Sequence, residues 1–128
     1  YFLMIRRPPR STRKESSAAS DVYKRQIMPM EKKKWEKMLD IAKRWTQADE
    51  DSADAWYYLG YAKAKMGSLD YAKLFLKQAY KLNDRHLESL VELYDISVIQ
   101  SDTNESQRIL GLIKVINPER ADYIAKKS

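Results

Sequence analysis

ADAWYYLGYAKAKMGSLDYAKLFLKQAYKLND, residues 53–84, decides the fold. Trp56, Leu59 and Gly60 fall on one stripe of a first helix, and Ala72, Phe75, Leu76 and Ala79 recur at the i, i+3, i+4, i+7 spacing of a second. Gly67 interrupts the pattern. A glycine there suits the residue just past a helix C-terminus, where the left-handed conformation carries no Cβ penalty, and Ser68 follows as the expected cap of the next helix. The stretch is a helical hairpin, and Asp51-Ser52-Ala53-Asp54 supplies its N-terminal capping signal.

The order of large and small residues carries more information than the helices. Trp56, Leu59-Gly60, Gly67, Ala72, Ala79 and the turn at Asn83-Asp84 resemble the tetratricopeptide repeat, in which W-x2-L-G-x2-Y, a small turn residue, A-x3-F, A and P recur with a period of about 34. Lys63, Leu76 and Asp84 depart from that pattern at positions where an aromatic, a Phe or Tyr, and Pro are usual. Gly60 and Ala72 are small so that two backbones can approach, while Trp56 fills the space toward the neighbouring hairpin.

The same offset extends downstream. Leu90 takes the place of Trp56, Leu93 that of Leu59, Ser106 that of Ala72, Leu110 that of Leu76, Ile113 that of Ala79, and Pro118 the closing Pro. Residues 87–120 therefore form a degenerate copy of the repeat at 53–86, with Asp102-Thr103-Asn104-Glu105 capping its second helix. Tyr94 replaces Gly60 and predicts a more open crossing. Asn117-Pro118 reads as a cap and first helical position for a final helix within 118–128, where Tyr123 and Ile124 cover the end of the stack. The repeat-packing residues are thus Trp56, Leu59, Gly60, Ala72, Leu76, Ala79 and Pro118. The expected fold class is all-α: antiparallel helix-turn-helix repeats in a short right-handed α-solenoid.

Upstream, a helix from Glu31 to Ala48 places Trp35, Met38, Leu39, Ala42 and Trp45 on one face and lysines on the other. Residues 27–50 read as the second half of a truncated repeat. With its first half missing, the Trp35/Trp45 surface is expected to lie open and to favour self-association.

Residues 1–26 set the chain's charge. They hold seven basic and two acidic residues, leaving 17 basic and 16 acidic for the rest, so the repeats offer no electrostatic case for nucleic acid. The segment MIRRPPRSTRKESSAASDVYKRQ, Met4 to Gln26, resembles a translated sequencing adapter and is expected to be a non-native leader without structure. An organelle transit peptide and a basic tail are the natural alternatives.

Catalytic chemistry has few candidates. No Cys is present, His86 is the only histidine and is expected to be an exposed first-turn residue, and the three glycines make no phosphate loop. No cofactor, metal ligand set or catalytic group is expected. The resemblance implies instead that a peptide or partner protein binds the concave face. Its groove positions here are Asp54, Tyr57, Tyr61 and Lys65 with Tyr58 beside them, then Glu88, Val91, Glu92 and Asp95 in the next repeat. A tyrosine-rich patch flanked by acid favours a basic or neutral segment. The family's carboxylate clamps use Asn and Lys at such positions, which Tyr58, Glu92 and Asp95 match poorly. The expected role is a protein-interaction scaffold or adaptor. The alternatives are the docking portion of a larger enzyme or secretion-assembly protein, and RNA binding by related helical repeats. Lack of Cys favours the cytoplasm and leaves a periplasm open.

Overall fold

A computed structural model describes residues 20–28, 30 and 34–127 of the chain. Its helices are α1 (residues 20–27), α2 (Trp35–Ala48), α3 (Ala53–Lys65), α4 (Leu69–Leu82), α5 (Leu87–Ile99), α6 (Thr103–Ile116) and α7 (Pro118–Lys127). The described residues are all-α, and packing runs mainly from each helix to the next, with α3 also touching α5. This is the geometry of a tetratricopeptide-like helical repeat, in which each unit rests on its neighbour. None of the described helices is long and apolar enough to cross a membrane.

The hairpin joints show why the chain turns where it does. Gly67 has φ +91°, its N–H bonds to the Ala64 carbonyl at 3.1 Å, and the Ser68 N–H bonds to the Lys63 carbonyl at 2.9 Å. These paired bonds satisfy carbonyls that the end of α3 would otherwise leave open. One repeat later the same joint recurs at Ser101, with φ 57° and bonds from Ser101 N–H to Val98 and Asp102 N–H to Ser97. A serine there bears the left-handed strain that Gly67 avoids. Ser101→Gly should therefore raise stability by about 0.5–1 kcal/mol in urea unfolding, the relief exceeding glycine's extra chain entropy.

Ser52 caps α3 by accepting from the Ala55 N–H, and Asp102 caps α6 by accepting from the Glu105 N–H. Asn117 Oδ1 accepts from the Arg120 N–H, so α7 starts as its sequence implies. Ser68 departs from expectation: it precedes α4 but its side chain makes no capping bond.

Two apolar clusters meet at the α3/α4 hairpin. One joins Ile27, Met38, Ile41, Ala42 and Trp45 to Ala55, Leu59 and Ala62. The other runs from Ala72 and Leu76 through Leu90, Leu93 and Tyr94 to Ile113 and Ile124. Gly60 carries the close approach between α3 and α4. A Cβ added there would lie 2.7 Å from Leu76 Cγ and 3.1 Å from the Ala72 carbonyl. At the equivalent Tyr94, which is buried, α5 packs on α6 less extensively than α3 does on α4.

Three expectations change. Trp45 is not open: it is 1% exposed, stacked on Tyr23 at 6.4 Å and donating from Nε1 to Ser20 Oγ at 2.8 Å. Trp35 is half-buried against Tyr61. Residues 20–27 are helical, and Ser20, Tyr23 and Ile27 on one of their faces cover part of the Trp45 surface that was expected to be open. The remainder of the leader, residues 1–19, lies outside the described residues, as do Glu31, Lys32 and Lys33 at the expected start of α2. Pro118, finally, is exposed, so it starts α7 rather than packing the repeats together.

Candidate interaction face

Helices α3 and α5 lie side by side and bring most of the expected groove residues into one surface. Along α3 the aromatic rings form a continuous ladder. Trp45 meets Tyr58 at 5.9 Å, Tyr58 meets Tyr57 at 5.0 Å, Tyr57 meets Tyr61 at 5.8 Å, and Tyr61 meets Trp35 at 5.6 Å. Lys65 is exposed and places its Nζ 5.2 Å from the Tyr61 ring centre, a cation–π contact that extends the row. The participation of Trp35 and Trp45 was hidden in the sequence, because their spacing on α2 says core and nothing about α3.

Carboxylates face this ladder from α5. Burial, with the charge of Glu92 second, raises the Tyr57 phenol well above its ordinary value. Burial likewise raises Tyr58, with help from Asp54 and Glu88. Glu92 is itself half-buried, and desolvation raises its carboxyl above the usual 4.5 although Lys65 pulls it down. Glu88 and Asp95 are exposed. Lys65, Glu92 and Asp95 also line a cleft of about 320 Å³, floored by Ala64, Leu69 and Ile96. Val91 is half-buried and packs on the second apolar cluster, so it belongs more to the core than to an open groove. Tyr57, half-buried, packs on the same cluster.

Asp54 is not an open groove position. Its Oδ1 lies 2.6 Å from His86 Nε2, and its Oδ2 lies 3.4 Å from Lys24 Nζ. The hydrogen bond from His86, opposed by burial and aided by the charges of His86 and Lys24, holds the carboxyl below its ordinary 3.8. His86 corrects the expectation of an exposed first-turn residue: it is 8% exposed and caps α5. Its Nδ1 accepts from the Ser89 N–H at 3.3 Å and lies 2.8 Å from Ser89 Oγ. An imidazole that accepts at Nδ1 carries its proton on Nε2, which donates a hydrogen bond to Asp54 Oδ1. Histidine is an uncommon cap, and nothing in its local sequence marks Asp54, 32 residues earlier, as its partner.

Ser89, His86 and Asp54 thus form the hydrogen-bonded order of a nucleophilic triad. The geometry is structural. Ser89 is fully buried and does not line the adjacent cleft, which is walled by Asp51, Ser52, Ala53, Asp54, Leu82, Asn83 and His86, so no substrate carbonyl can reach its hydroxyl. Among the described residues, no three His, Cys, Asp or Glu side chains are grouped to hold a metal ion.

No family model matches the chain. Over 99 residues it is 29% identical to tetratricopeptide repeat protein 1 of Schizosaccharomyces pombe, an alignment covering 75% of this chain. The repeat is tetratricopeptide-like. The chain spans 9% of the length of that curated relative. A tetratricopeptide-like repeat accords with the hairpins, the Gly60–Leu76 approach and the recurring joints.

Proposed function

We propose that this tetratricopeptide-like chain is a non-enzymatic interaction scaffold that binds a basic peptide segment of a partner protein across α3 and α5. The observation that carries this reading is the half-buried Glu92 beside the tyrosine ladder. A carboxylate raised by desolvation opposes folding in its charged form and gains most when a cation replaces the lost water. Exposed Glu88 and Asp95 extend the negative row, and the half-buried Tyr57, Tyr58 and Tyr61 supply aromatic contact area beside it. The length of the relative supports a compatible second reading, in which these repeats are the docking portion of a larger protein.

Two results test the proposal. Glu92→Gln should raise stability slightly at pH 7, since it removes a charge that burial disfavours, yet weaken binding of an Arg-rich peptide about tenfold in fluorescence anisotropy. Tyr61→Ala should weaken it as well, whereas Lys114→Ala on α6 should not. Equal losses in all three variants would remove the basis for the groove. The pH dependence has a defined sign: because the free carboxyl titrates above 4.5, affinity for the peptide should fall as pH drops toward that value from above.

A further inference from the structure

A second apolar groove lies on the outer layer, between α4 and α6. These helices do not pack extensively on each other, and the buried Leu90 and Leu93 of α5 lie at the bottom of the space between them. Leu90 and Leu93 form the floor of a cavity of about 480 Å³, and Leu74, Ile109 and Leu112 form its apolar walls. Leu74 is 60% exposed and shares its helix face with the exposed Lys77 and Lys81 at i+3 and i+7. A smaller cleft of about 170 Å³ continues along the same helices through Tyr80 and Leu112 to Val115, which is 78% exposed. The space admits apolar side chains but not a helix backbone, whose cylinder is about 10 Å across.

The rim is basic. Lys77 and Lys81 stand on the α4 side and Arg108 on the α6 side. Arg108 holds Glu105 through two hydrogen bonds of 2.9 and 2.8 Å and so lowers its carboxyl pKa, with Lys77 and Lys73 contributing less. Its charge therefore offsets Arg108 and leaves Lys77 and Lys81 as the excess. This polarity is opposite to that of the face formed by α3 and α5.

We propose that the α4/α6 groove is a second docking surface, which takes an acidic amphipathic helix of a partner protein. Leucine-like side chains at i, i+3/i+4 and i+7 enter the two clefts, and Asp or Glu on the flanks meets Lys77 and Lys81. Nucleic acid is the poorer match, since a phosphate backbone leaves the exposed Leu74 and Val115 uncovered.

The test uses the full chain and two labelled helical peptides of about 16 residues, with leucines at that spacing and either Glu or Lys on the flanks. Fluorescence anisotropy should show binding of the Glu peptide, weakening with salt, and at least tenfold preference over the Lys peptide. Leu74→Gln and Lys77→Glu should each weaken the Glu peptide about tenfold, while Lys37→Glu, an equal charge change on exposed α2, should not. All three sites are exposed, and matching far-UV spectra and melting temperatures would establish that the variants fold. Equal binding of both peptides, equal loss with Lys37→Glu, no binding at millimolar peptide, displacement by anionic phosphatidylserine vesicles, or self-association through Leu74 in ultracentrifugation would each overturn it.

Discussion

Gly60→Val should unfold the α3/α4 hairpin. Its Cβ would begin 2.7 Å from Leu76 Cγ, and Leu76 is fully buried, so the leucine has nowhere to swing. The second neighbour is the Ala72 backbone carbonyl at 3.1 Å, which moves only if α4 moves. Gly60→Ala gains about 1 kcal/mol of helix propensity but meets the same contacts, whose overpacking typically costs about 1–3 kcal/mol. A net loss of up to about 2 kcal/mol is expected for Ala, and more for Val, measured by urea denaturation. Coupling provides the sharper check. In a Leu76→Ala background, itself destabilised by about 2–5 kcal/mol, Gly60→Ala should cost clearly less than in the wild type, because the nearest obstruction is gone and only the Ala72 carbonyl remains. Additive losses would place the cost elsewhere.

His86→Ala should remove about 2–3 kcal/mol. It deletes the α5 cap, worth about 0.5–2 kcal/mol, and leaves the fully buried Ser89 without the Nδ1 partner. His86→Asn restores a capping oxygen while losing the reach to Asp54, and should recover part of that loss. The Asp54 arm is visible in acid. Its folded pKa is depressed, so its contribution is present above the ordinary 3.8 and lost as pH falls through the lower folded value. Wild-type stability should therefore drop more steeply below about pH 4 than that of Asp54→Asn. Identical acid profiles would mean that the bridge contributes nothing.

Much of the architecture was legible in local sequence. Helix faces follow from the spacing of Ala72, Leu76 and Ala79, and the turn at Gly67 follows from the one residue type that needs no Cβ there. Asp102 announces itself as a cap because the feature lies within four residues. What escaped notice acts across longer separations. His86 looks like an ordinary first-turn residue until the fold brings Asp54 to its Nε2. Ser101 looks like loop composition, yet its backbone repeats Gly67. Of the candidate face, the Tyr57, Tyr58 and Tyr61 row was readable from α3 alone. The closing of that row by Trp45 and Trp35 was not, nor was the diversion of Asp54 into an interhelical bridge.

The near-neighbour pattern of packing also bears on mechanics. Gly67 and Ser101 close equivalent joints 34 residues apart, and each helix leans chiefly on the next. Tension applied between the ends would meet these joints one after another. The chain should then lengthen in increments, each freed repeat contributing about 110 Å of contour, and rewind in the same units when slack returns, as a spring with repeat-sized steps would.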